Sequence, residues 1–418
     1  METGCLSVNY LFPNVKIRKH QMKSRRHLSA MTSATPISTE RAMQNVSYNP
    51  LTDDRITPRP PASEAFNLTY AYYGDDDPRA VAEAIGVEQS IEFPLSYVRS
   101  AAILEHVVPQ CLCIDTHPAG EFCRIVLSYN PAVAGPDLVQ CLNVLFGNIG
   151  MKEDIKLIGI QIPAGMMHGR GPRFGVSGIR TLTGVGPEAP ILGSALKPMG
   201  LSSRALAYAA ADFVARGIHV IKDDHGISDQ AFSPFAERVR AVGEAIGNAN
   251  AKHGMRTLYA PNLSGPIDTL FERAHMAKEA GAGALMIAPG LVGFDVIRAL
   301  RADNSLNLPI LAHPSFLGPL ALNPRQGLSY GITFGWLPRF AGADVTIFPN
   351  HGGRFSFSQA DCHSIFDAAL TQTMPCLPCL PSPAGGMRAD KIRTMQDDYG
   401  TTDFMALIGG DMYTKWAL

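Results

Sequence analysis

The sequence has little charge, few cysteines and no long apolar run. Charged residues make up 17% of its 418 residues, and 36 Lys or Arg against 37 Asp or Glu leave a net charge of −1. This balance gives no strong electrostatic field, which argues against nucleic acid or a membrane surface as a partner. No run of about 18 apolar residues is present, so no transmembrane helix is predicted. With 39 Gly and 31 Pro, the composition is not that of a collagenous or disordered chain.

The eight cysteines are too sparse for a disulfide scaffold, which predicts a reducing compartment and a cytoplasmic location. Two of them, Cys376 and Cys379, form a single CxxC motif beside prolines. A zinc site needs a second ligand pair at a matching spacing, and a redox CxxC motif opens a helix. Neither feature is present, so we interpret these two cysteines as structural.

Residues 1–65 differ from the rest of the chain. They are rich in Ser, Thr and Pro, show no sustained apolar period, and hold nine Lys or Arg against five Asp or Glu. We predict either a disordered extension or sequence upstream of the true start, with Met22, Met31 and Met43 as alternative initiators. The basic stretch 16–27 is also typical of a transit peptide.

The rest of the chain divides into two predicted domains. Residues 66–172 mix strand-like runs at 66–73, 97–114, 122–129 and 156–161 with two helical stretches at 77–87 and 137–146. This mixture predicts an α+β domain of ferredoxin-like type. Residues 173–418 show eight strand-like apolar runs with helical stretches between them, which predicts a (β/α)8 TIM barrel. The chain ends soon after the eighth strand, so this barrel is expected to be truncated. The predicted barrel strands are 191–196, 219–221, 257–260, 284–288, 309–312, 345–348, 376–380 and 404–408.

In such a barrel the chemistry lies at the carboxyl ends of the strands. The sequence Lys222-Asp-Asp-His225 follows the second strand, and its carboxylates could bind Mg²⁺ or pair with the lysine as solvated ions. Glycine pairs follow the seventh and eighth strands, where they could approach a phosphate or simply form turns. The other polar residues at predicted strand ends are Lys197, Asn262, His313, Asn350 and His351.

Four segments together resemble the active-site segments of the RuBisCO large-chain superfamily. They are Gly193-Ser-Ala-Leu-Lys-Pro-Met-Gly-Leu-Ser202, Gly217-Ile-His-Val-Ile-Lys-Asp-Asp-His225, Gly147-Asn148 and Glu88-Gln-Ser90. The similarity runs in order from about residue 66 to residue 411. The motifs at 312–315 and 347–350 are more similar to the form IV, RuBisCO-like branch than to true carboxylases.

This resemblance implies a metal site on three neighbouring residues. Lys222 stands where the family lysine is carbamylated by CO₂, and Asp224 stands where the family has a Mg²⁺ ligand. His225 replaces a family Glu, so it implies either a more weakly held metal or a new acid/base group. Lys197 matches the lysine that assists proton transfer, and His313 is implied to be catalytic as well.

The resemblance also implies where a substrate binds. Gly385, Gly386, Gly409 and Gly410 match one phosphate cradle, while Ile347 and Ala384 depart from the family residues of the second phosphate site. A substrate with a single phosphate is therefore expected. Either Arg354 or His351 could bind its opposite end, or both could lie in a solvated loop. Glu88 and Asn148 match residues that reach the active site of the partner subunit, which implies a homodimer with shared sites.

Carbon fixation is not expected, because Pro314 replaces a family Arg and the loop 350–354 lacks the lysine that positions CO₂. The resemblance instead implies a Mg²⁺-dependent enzyme that enolises a phosphorylated keto-sugar or keto-acid, as an isomerase or a carbon–carbon cleaving enzyme. A methionine-salvage 2,3-diketo-5-methylthiopentyl-1-phosphate enolase is an alternative, although Asn148 stands where that branch is expected to carry a lysine base. An inactive or binding-only truncated homologue is the other alternative.

Overall fold

The computed structural model of the chain describes residues 56–117 and 119–413. Most of the segment 1–65, with its proposed initiators and basic stretch, lies outside the described residues. In the part that is described, Arg59 donates to the backbone oxygens of Ser128 (2.9 Å) and Val108 (2.5 Å), and a short 3-10 helix covers Ala62–Glu64. No described helix is long and apolar enough to cross a membrane.

A mixed five-stranded sheet forms the first layer of the fold, in the order β10-β4-β1-β3-β2. Its strands are β1 (Phe66–Tyr72), β2 (Gln110–Thr116), β3 (Cys123–Tyr129) and β4 (Ile155–Gln161), antiparallel to one another, and β10 (Gly327–Leu328), which pairs parallel to β4. The accompanying helices are α1 (Pro78–Glu88), α2 (Ala101–His106), α3 (Pro131–Ala134) and α4 (Leu138–Phe146).

Helix α2 corrects the sequence reading, which placed a strand across 97–114. The Ser100 side chain accepts the backbone N–H of Ile103, and this cap starts a helix in the apolar run that follows. The strand begins only at Gln110, after the helix has ended. An apolar run of this length does not by itself distinguish a strand from a helix.

Eight parallel strands close the barrel. They are β5 (Ile191–Leu196), β6 (Val220–Asp223), β7 (Leu258–Ala260), β8 (Leu285–Ile287), β9 (Ile310–Ala312), β11 (Val345–Pro349), β12 (Leu380–Ala384) and β13 (Met405–Leu407). They form two four-stranded sheets, β13-β5-β6-β7 and β12-β11-β9-β8. Two single bridges, Asn262 to Met286 and Met387 to Ile408, join the sheets at the two seams. One buried apolar cluster takes side chains from all eight strands, which confirms the predicted TIM barrel.

One helix before the first of these strands and the helices between them complete the barrel. They are α5 (Gly175–Thr183), α6 (Ser203–Ala215), α7 (Phe235–His253), α8 (Ile267–Glu279), α9 (Pro289–Val292), α10 (Asp295–Ala302), α11 (Gly318–Ala321), α12 (Leu337–Ala341), α13 (Gln359–Leu370) and α14 (Ile392–Tyr399). A π-helix covers Gly331–Trp336, and the 3-10 helix Gly410–Tyr413 follows β13. Most of the longer helices bury one apolar face; α6, for example, buries Leu206, Ala210 and Phe213.

The seventh barrel strand lies four residues later than the sequence predicted, at Leu380–Ala384 instead of 376–380. The prolines Pro381 and Pro383 disguise it, since proline cannot donate a ladder hydrogen bond. The Leu380 N–H donates to the Asp344 oxygen on the β11 side. Because the backbone N–H groups of a strand point alternately to its two neighbours, the backbone nitrogens of residues 381 and 383 point towards β13. Proline is tolerated there because this side is a seam, at which the Ser382 hydroxyl donates to the Met405 backbone oxygen (2.9 Å) instead.

The strand shift places the CxxC motif in the loop that precedes β12. Both thiols are free, and burial raises the pKa of each, which keeps them protonated and unreactive. The Cys376 backbone oxygen accepts a hydrogen bond from the buried Arg339 guanidinium (2.9 Å). These contacts support the structural interpretation of Cys376 and Cys379.

Candidate active site

A cavity of about 590 Å³ opens at the carboxyl ends of the barrel strands. Its lining includes polar side chains and also the apolar and aromatic side chains of Leu322, Phe334, Ile347, Phe357 and Leu407. The cavity brings together ten of the residues predicted from the sequence: Lys197, Lys222, Asp224, His225, His313, Arg354, Gly385, Gly386, Gly409 and Gly410.

Lys222, near the end of β6, is almost fully buried. Its Nζ donates to the backbone oxygen of Asp223 at 2.9 Å. Burial is the main cause that lowers the pKa of its amine to about 8; the charge of Asp224 opposes this shift, and the positive charge of Lys197 adds to it. A larger fraction of this amine is therefore neutral near pH 7 than for an exposed lysine.

Asp224 is the anionic centre of the site. Its Oδ1 lies 3.0 Å from Lys197 Nζ, and its Oδ2 lies 3.5 Å from His225 Nδ1. Burial opposes ionisation here, but the hydrogen bond from His225 and the charges of Lys222 and Lys197 hold the pKa of the Asp224 carboxyl well below its usual range. One carboxylate thus faces three basic side chains.

The two histidines of the site are stacked on each other. The rings of His225 and His313 have centroids 4.5 Å apart and planes inclined by 16°. Burial, together with the nearby charges of Lys222 and His225, holds the pKa of His313 well below its ordinary value. The His313 Nδ1 accepts the backbone N–H of Ser315 (3.3 Å), so the neutral ring carries its proton on Nε2.

Asp223 faces away from the cavity, although it lies between two site residues in the sequence. Its carboxylate is fully buried and accepts from Arg238 Nε (3.0 Å), the Tyr259 hydroxyl (2.9 Å) and the Asn262 backbone N–H (3.1 Å). Asn262 in turn donates through Nδ2 to the backbone oxygens of His225 and Ile227, both at 3.0 Å. These residues support the turn that carries Asp224 and His225.

The glycines after β12 and β13 leave an open surface in the cavity. Gly385 and Gly386 have φ of 93° and 103°, a region that disfavours other residues. A Cβ added at Gly386, Gly409 or Gly410 would meet nothing within 4 Å. A bound group could therefore approach the backbone here closely, as anion sites require.

Of the two residues predicted on the loop after β11, only Arg354 lines the cavity. Its backbone N–H donates to the Gly385 oxygen (3.0 Å), so it lies beside the glycine turn. The other candidate, His351, is bonded through Nε2 to Asp398 Oδ2 at 2.7 Å and is not among the residues that line this cavity.

Glu88 and Asn148 lie together on the first layer, apart from this cavity. The Asn148 Nδ2 donates to Glu88 Oε1 (3.0 Å) and also to Glu92 Oε1 (3.2 Å). Neither Glu88 nor Asn148 lines the cavity of its own chain. Within one chain, both side chains lie outside the cavity. Their predicted role in the active site of a partner subunit stays a prediction.

Sequence reasoning missed two polar residues and the aromatic wall of the site. The Tyr413 hydroxyl donates to the Ala195 oxygen (3.0 Å) and accepts the Lys197 N–H (2.6 Å). These bonds join the segment after the last barrel strand to the end of the first one. Ser315 holds the ring of His313. Ser315 stands in the Ala312-His-Pro-Ser315 motif and could have been noted, whereas the aromatic wall depends on loops that only the fold brings together.

The fold and the cavity define a (β/α)8-barrel protein whose polar residues gather at the strand ends beside open glycine turns. Residues 178–353 match the family described as ribulose bisphosphate carboxylase large chain, catalytic domain. Ribulose bisphosphate carboxylase-like protein 1 of Rhodopseudomonas palustris is 40% identical over 337 residues, 80% of this chain and 88% of the relative.

Two further relatives have names that specify a reaction. The 5-methylthioribulose-1-phosphate isomerase of Rhodospirillum rubrum is 37% identical over 80% of this chain and 87% of its own length. The 2,3-diketo-5-methylthiopentyl-1-phosphate enolase of Geobacillus thermodenitrificans is 29% identical over 82% of this chain and 86% of its own.

A solved structure shows the same architecture. The crystal structure of a Rubisco-like protein from Rhodopseudomonas palustris matches with a TM-score of 0.74 and 36% identity, over 82% of this chain and 94% of that chain. The chain belongs to the RuBisCO large-chain family, as one of its RuBisCO-like proteins. This confirms the family expected from the motifs, and relatives named as isomerase and enolase support a non-carboxylating enzyme.

Proposed function

We propose that the chain is a Mg²⁺-dependent isomerase that removes a proton beside the carbonyl of a phosphorylated ketose with an apolar far end. The observation that carries this proposal is the cavity itself. It lines one space with a buried lysine, a carboxylate, two histidines, open glycine turns and apolar and aromatic side chains. A 5-methylthioribulose 1-phosphate molecule would use both kinds of surface, because it carries a phosphate at one end and a thioether at the other. The 37% identity to an isomerase of that name supports the choice over an enolase or a carbon–carbon cleaving enzyme.

The donor set fits a divalent cation on one condition. No three His, Cys, Asp or Glu side chains come together for a metal within the described residues. Asp224 and His225 supply two donors at the cavity, and Lys222 supplies a third acidic donor only as a carbamate. A carbamate forms from a neutral amine, and the lowered pKa of Lys222 favours that form. We therefore assign Mg²⁺ to carbamylated Lys222, Asp224 and His225.

The cation, when bound, would polarise the carbonyl of the substrate and acidify the neighbouring C–H. Lys197 and His313 are then the two groups left to hold or move that proton. Lys197 is about one-third exposed at the mouth of the cavity and ion-paired with Asp224. His313 is neutral near pH 7, with its Nε2 proton available to a substrate oxygen. Two basic groups of different environment suit removal of a proton from one carbon and return to the next.

The glycine turns and Arg354 are assigned to the phosphate. The open backbone at Gly386, Gly409 and Gly410 can approach phosphate oxygens, and Arg354 lies beside Gly385 with its side chain at the cavity. A guanidinium is a strong partner for such an oxyanion. This placement assigns Arg354 to the phosphate, and we assign the apolar lining to the rest of the substrate.

We also propose a homodimer in which Glu88 and Asn148 complete the cavity of the partner subunit. Both residues lie on the first layer, are partly exposed, and are held together by a 3.0 Å hydrogen bond. Since neither reaches the cavity of its own chain, a role in the site requires a second copy.

Proton exchange tests the reaction directly. The enzyme, supplied with Mg²⁺ and CO₂ in D₂O, should exchange the protons beside the carbonyl of 5-methylthioribulose 1-phosphate, as followed by NMR. The Lys222→Ala variant should lose this exchange and keep its melting temperature, while Lys252→Ala, on an exposed part of α7, should behave as wild type. Full exchange by Lys222→Ala would exclude carbamate-assisted metal binding. Absence of exchange with every phosphorylated ketose tried would favour the binding-only alternative.

A further inference from the structure

A carboxylate outside the cavity ties the loop after β11 to two helices. Asp398, on α14, lies 2.7 Å through Oδ2 from His351 Nε2 and 3.5 Å through Oδ1 from His363 Nε2 on α13. Gln359, at the start of α13, also donates to Oδ1. Only 13% of the Asp398 side chain is exposed, so these contacts are partly shielded from water. Of the three partners, only His351 belongs to the loop.

The same loop is bonded to the glycine turn at both of its ends. The Asn350 N–H donates to the Ala384 oxygen (2.9 Å), and the Arg354 N–H donates to the Gly385 oxygen (3.0 Å). His351 lies between these two bonds, and its own N–H donates to Cys362 Sγ (3.2 Å). The remaining part of the loop is Gly352-Gly353, where Gly352 has φ of 67° and the backbone has more freedom than elsewhere.

The platform that presents Asp398 is itself well packed. The next residue, Tyr399, stacks on Phe366 of α13 with ring centroids 3.7 Å apart and planes inclined by 13°. Its hydroxyl donates to Asn350 Oδ1 at the base of the loop. The position of Asp398 is therefore fixed by contacts that do not involve Arg354.

We propose that Asp398 and His351 are positioning residues that hold the loop 350–354 closed against the glycine turn, so that Arg354 stays at the cavity. Two glycines separate His351 from Arg354. Without the Asp398 contact the loop keeps its end bonds and the Tyr399 bond to Asn350 at its base, but it loses the contact that holds His351 to α14. The catalytic consequence rests on the proposed function, in which Arg354 binds the phosphate. The structural part, closure of the loop, stands apart from any substrate.

Trypsin provides a readout that needs no substrate. Arg354 is exposed, but its backbone N–H is bonded to the Gly385 oxygen, so cleavage after Arg354 should become faster when the loop opens more often. Mass spectrometry identifies that cut against cuts elsewhere in the same chain. Asp398→Ala and His351→Ala should each speed this cleavage about tenfold, as expected for loss of a hydrogen bond to an ionised group. His363→Ala is the matched control: it removes a partner of the same carboxylate but not the tether of the loop, and its cleavage rate should equal that of wild type.

Kinetics with 5-methylthioribulose 1-phosphate then link the loop to binding. Asp398→Ala should raise KM more than it lowers kcat, and it should add nothing to KM in an Arg354→Ala background, because it acts through Arg354. Wild-type cleavage rates in both Asp398→Ala and His351→Ala would overturn the proposal. Equal acceleration by His363→Ala would overturn it too, since Asp398 would then only join helices. If even the wild type fails to turn over this ketose, the proposed function fails while the cleavage rates still decide the loop.

Discussion

Replacing Asp223 by alanine should lower the stability of the barrel far more than replacing its neighbour Asp224. The Asp223 carboxylate is fully buried and accepts hydrogen bonds from Arg238, Tyr259 and Asn262. The Arg238 guanidinium is equally buried, with no exposed side-chain surface. Removal of the carboxylate would leave this charge without its counter-ion in the protein interior. Asp224 instead lies at the cavity, where Lys197 and His225 are partly exposed to water.

The expected cost follows from the burial of the pair. Loss of one partner of a buried ion pair typically costs about 3–5 kcal/mol, because the remaining charge stays desolvated. For a chain of this size, a rough conversion of 2 °C per kcal/mol gives a fall in melting temperature of about 6–10 °C. The orphaned Tyr259 hydroxyl and Asn262 N–H add to this cost in the same direction.

Thermal melting and urea unfolding, measured on both variants, separate the two roles. Asp223→Ala should lose stability, and Asp224→Ala should lose proton exchange with a much smaller change in stability. Asp115→Ala, which breaks the exposed pair with Arg124, is a control in which stability should stay close to that of wild type. Equal melting temperatures for Asp223→Ala and wild type would refute the assignment of Asp223 as a buried support.

Two further predictions concern the assembled site. Activation by CO₂ should become faster as the pH rises towards 8 and level off above it, because the pKa of the Lys222 amine is lowered to about 8 and only the neutral amine forms a carbamate. The test is the activation rate after CO₂ addition, measured from pH 6.5 to 9 at constant dissolved CO₂. A flat profile would contradict the prediction. If Asn148 completes the partner's cavity, inactive Asn148→Ala and Lys222→Ala chains should regain activity when they are unfolded together and refolded, since a mixed dimer contains one intact site. Refolded mixtures with no more activity than either variant alone would argue against shared sites.

The sequence was informative wherever neighbouring residues carried the signal. The regular spacing of apolar runs determined seven of the eight barrel strands to within a few residues, and polar residues at strand ends pointed to the cavity. The seventh strand was displaced because Pro381 and Pro383 look like loop residues until the seam beside β13 is known. The helix at Ala101–His106 was mistaken for a strand because a short apolar run serves either element.

Tertiary structure decided where each candidate site residue lies. The residue types of Asp223 and Asp224 do not distinguish them, and only the family resemblance singled out Asp224. In the fold, side chains at the end of β6 alternate in direction, so Asp223 is buried below the turn and Asp224 lines the cavity. His351 and Arg354 were equal candidates for the substrate until the fold brought Asp398, 47 residues further along the chain, to His351. The aromatic wall and the lowered pKa of Lys222 likewise depend on burial between distant segments, which local sequence does not encode.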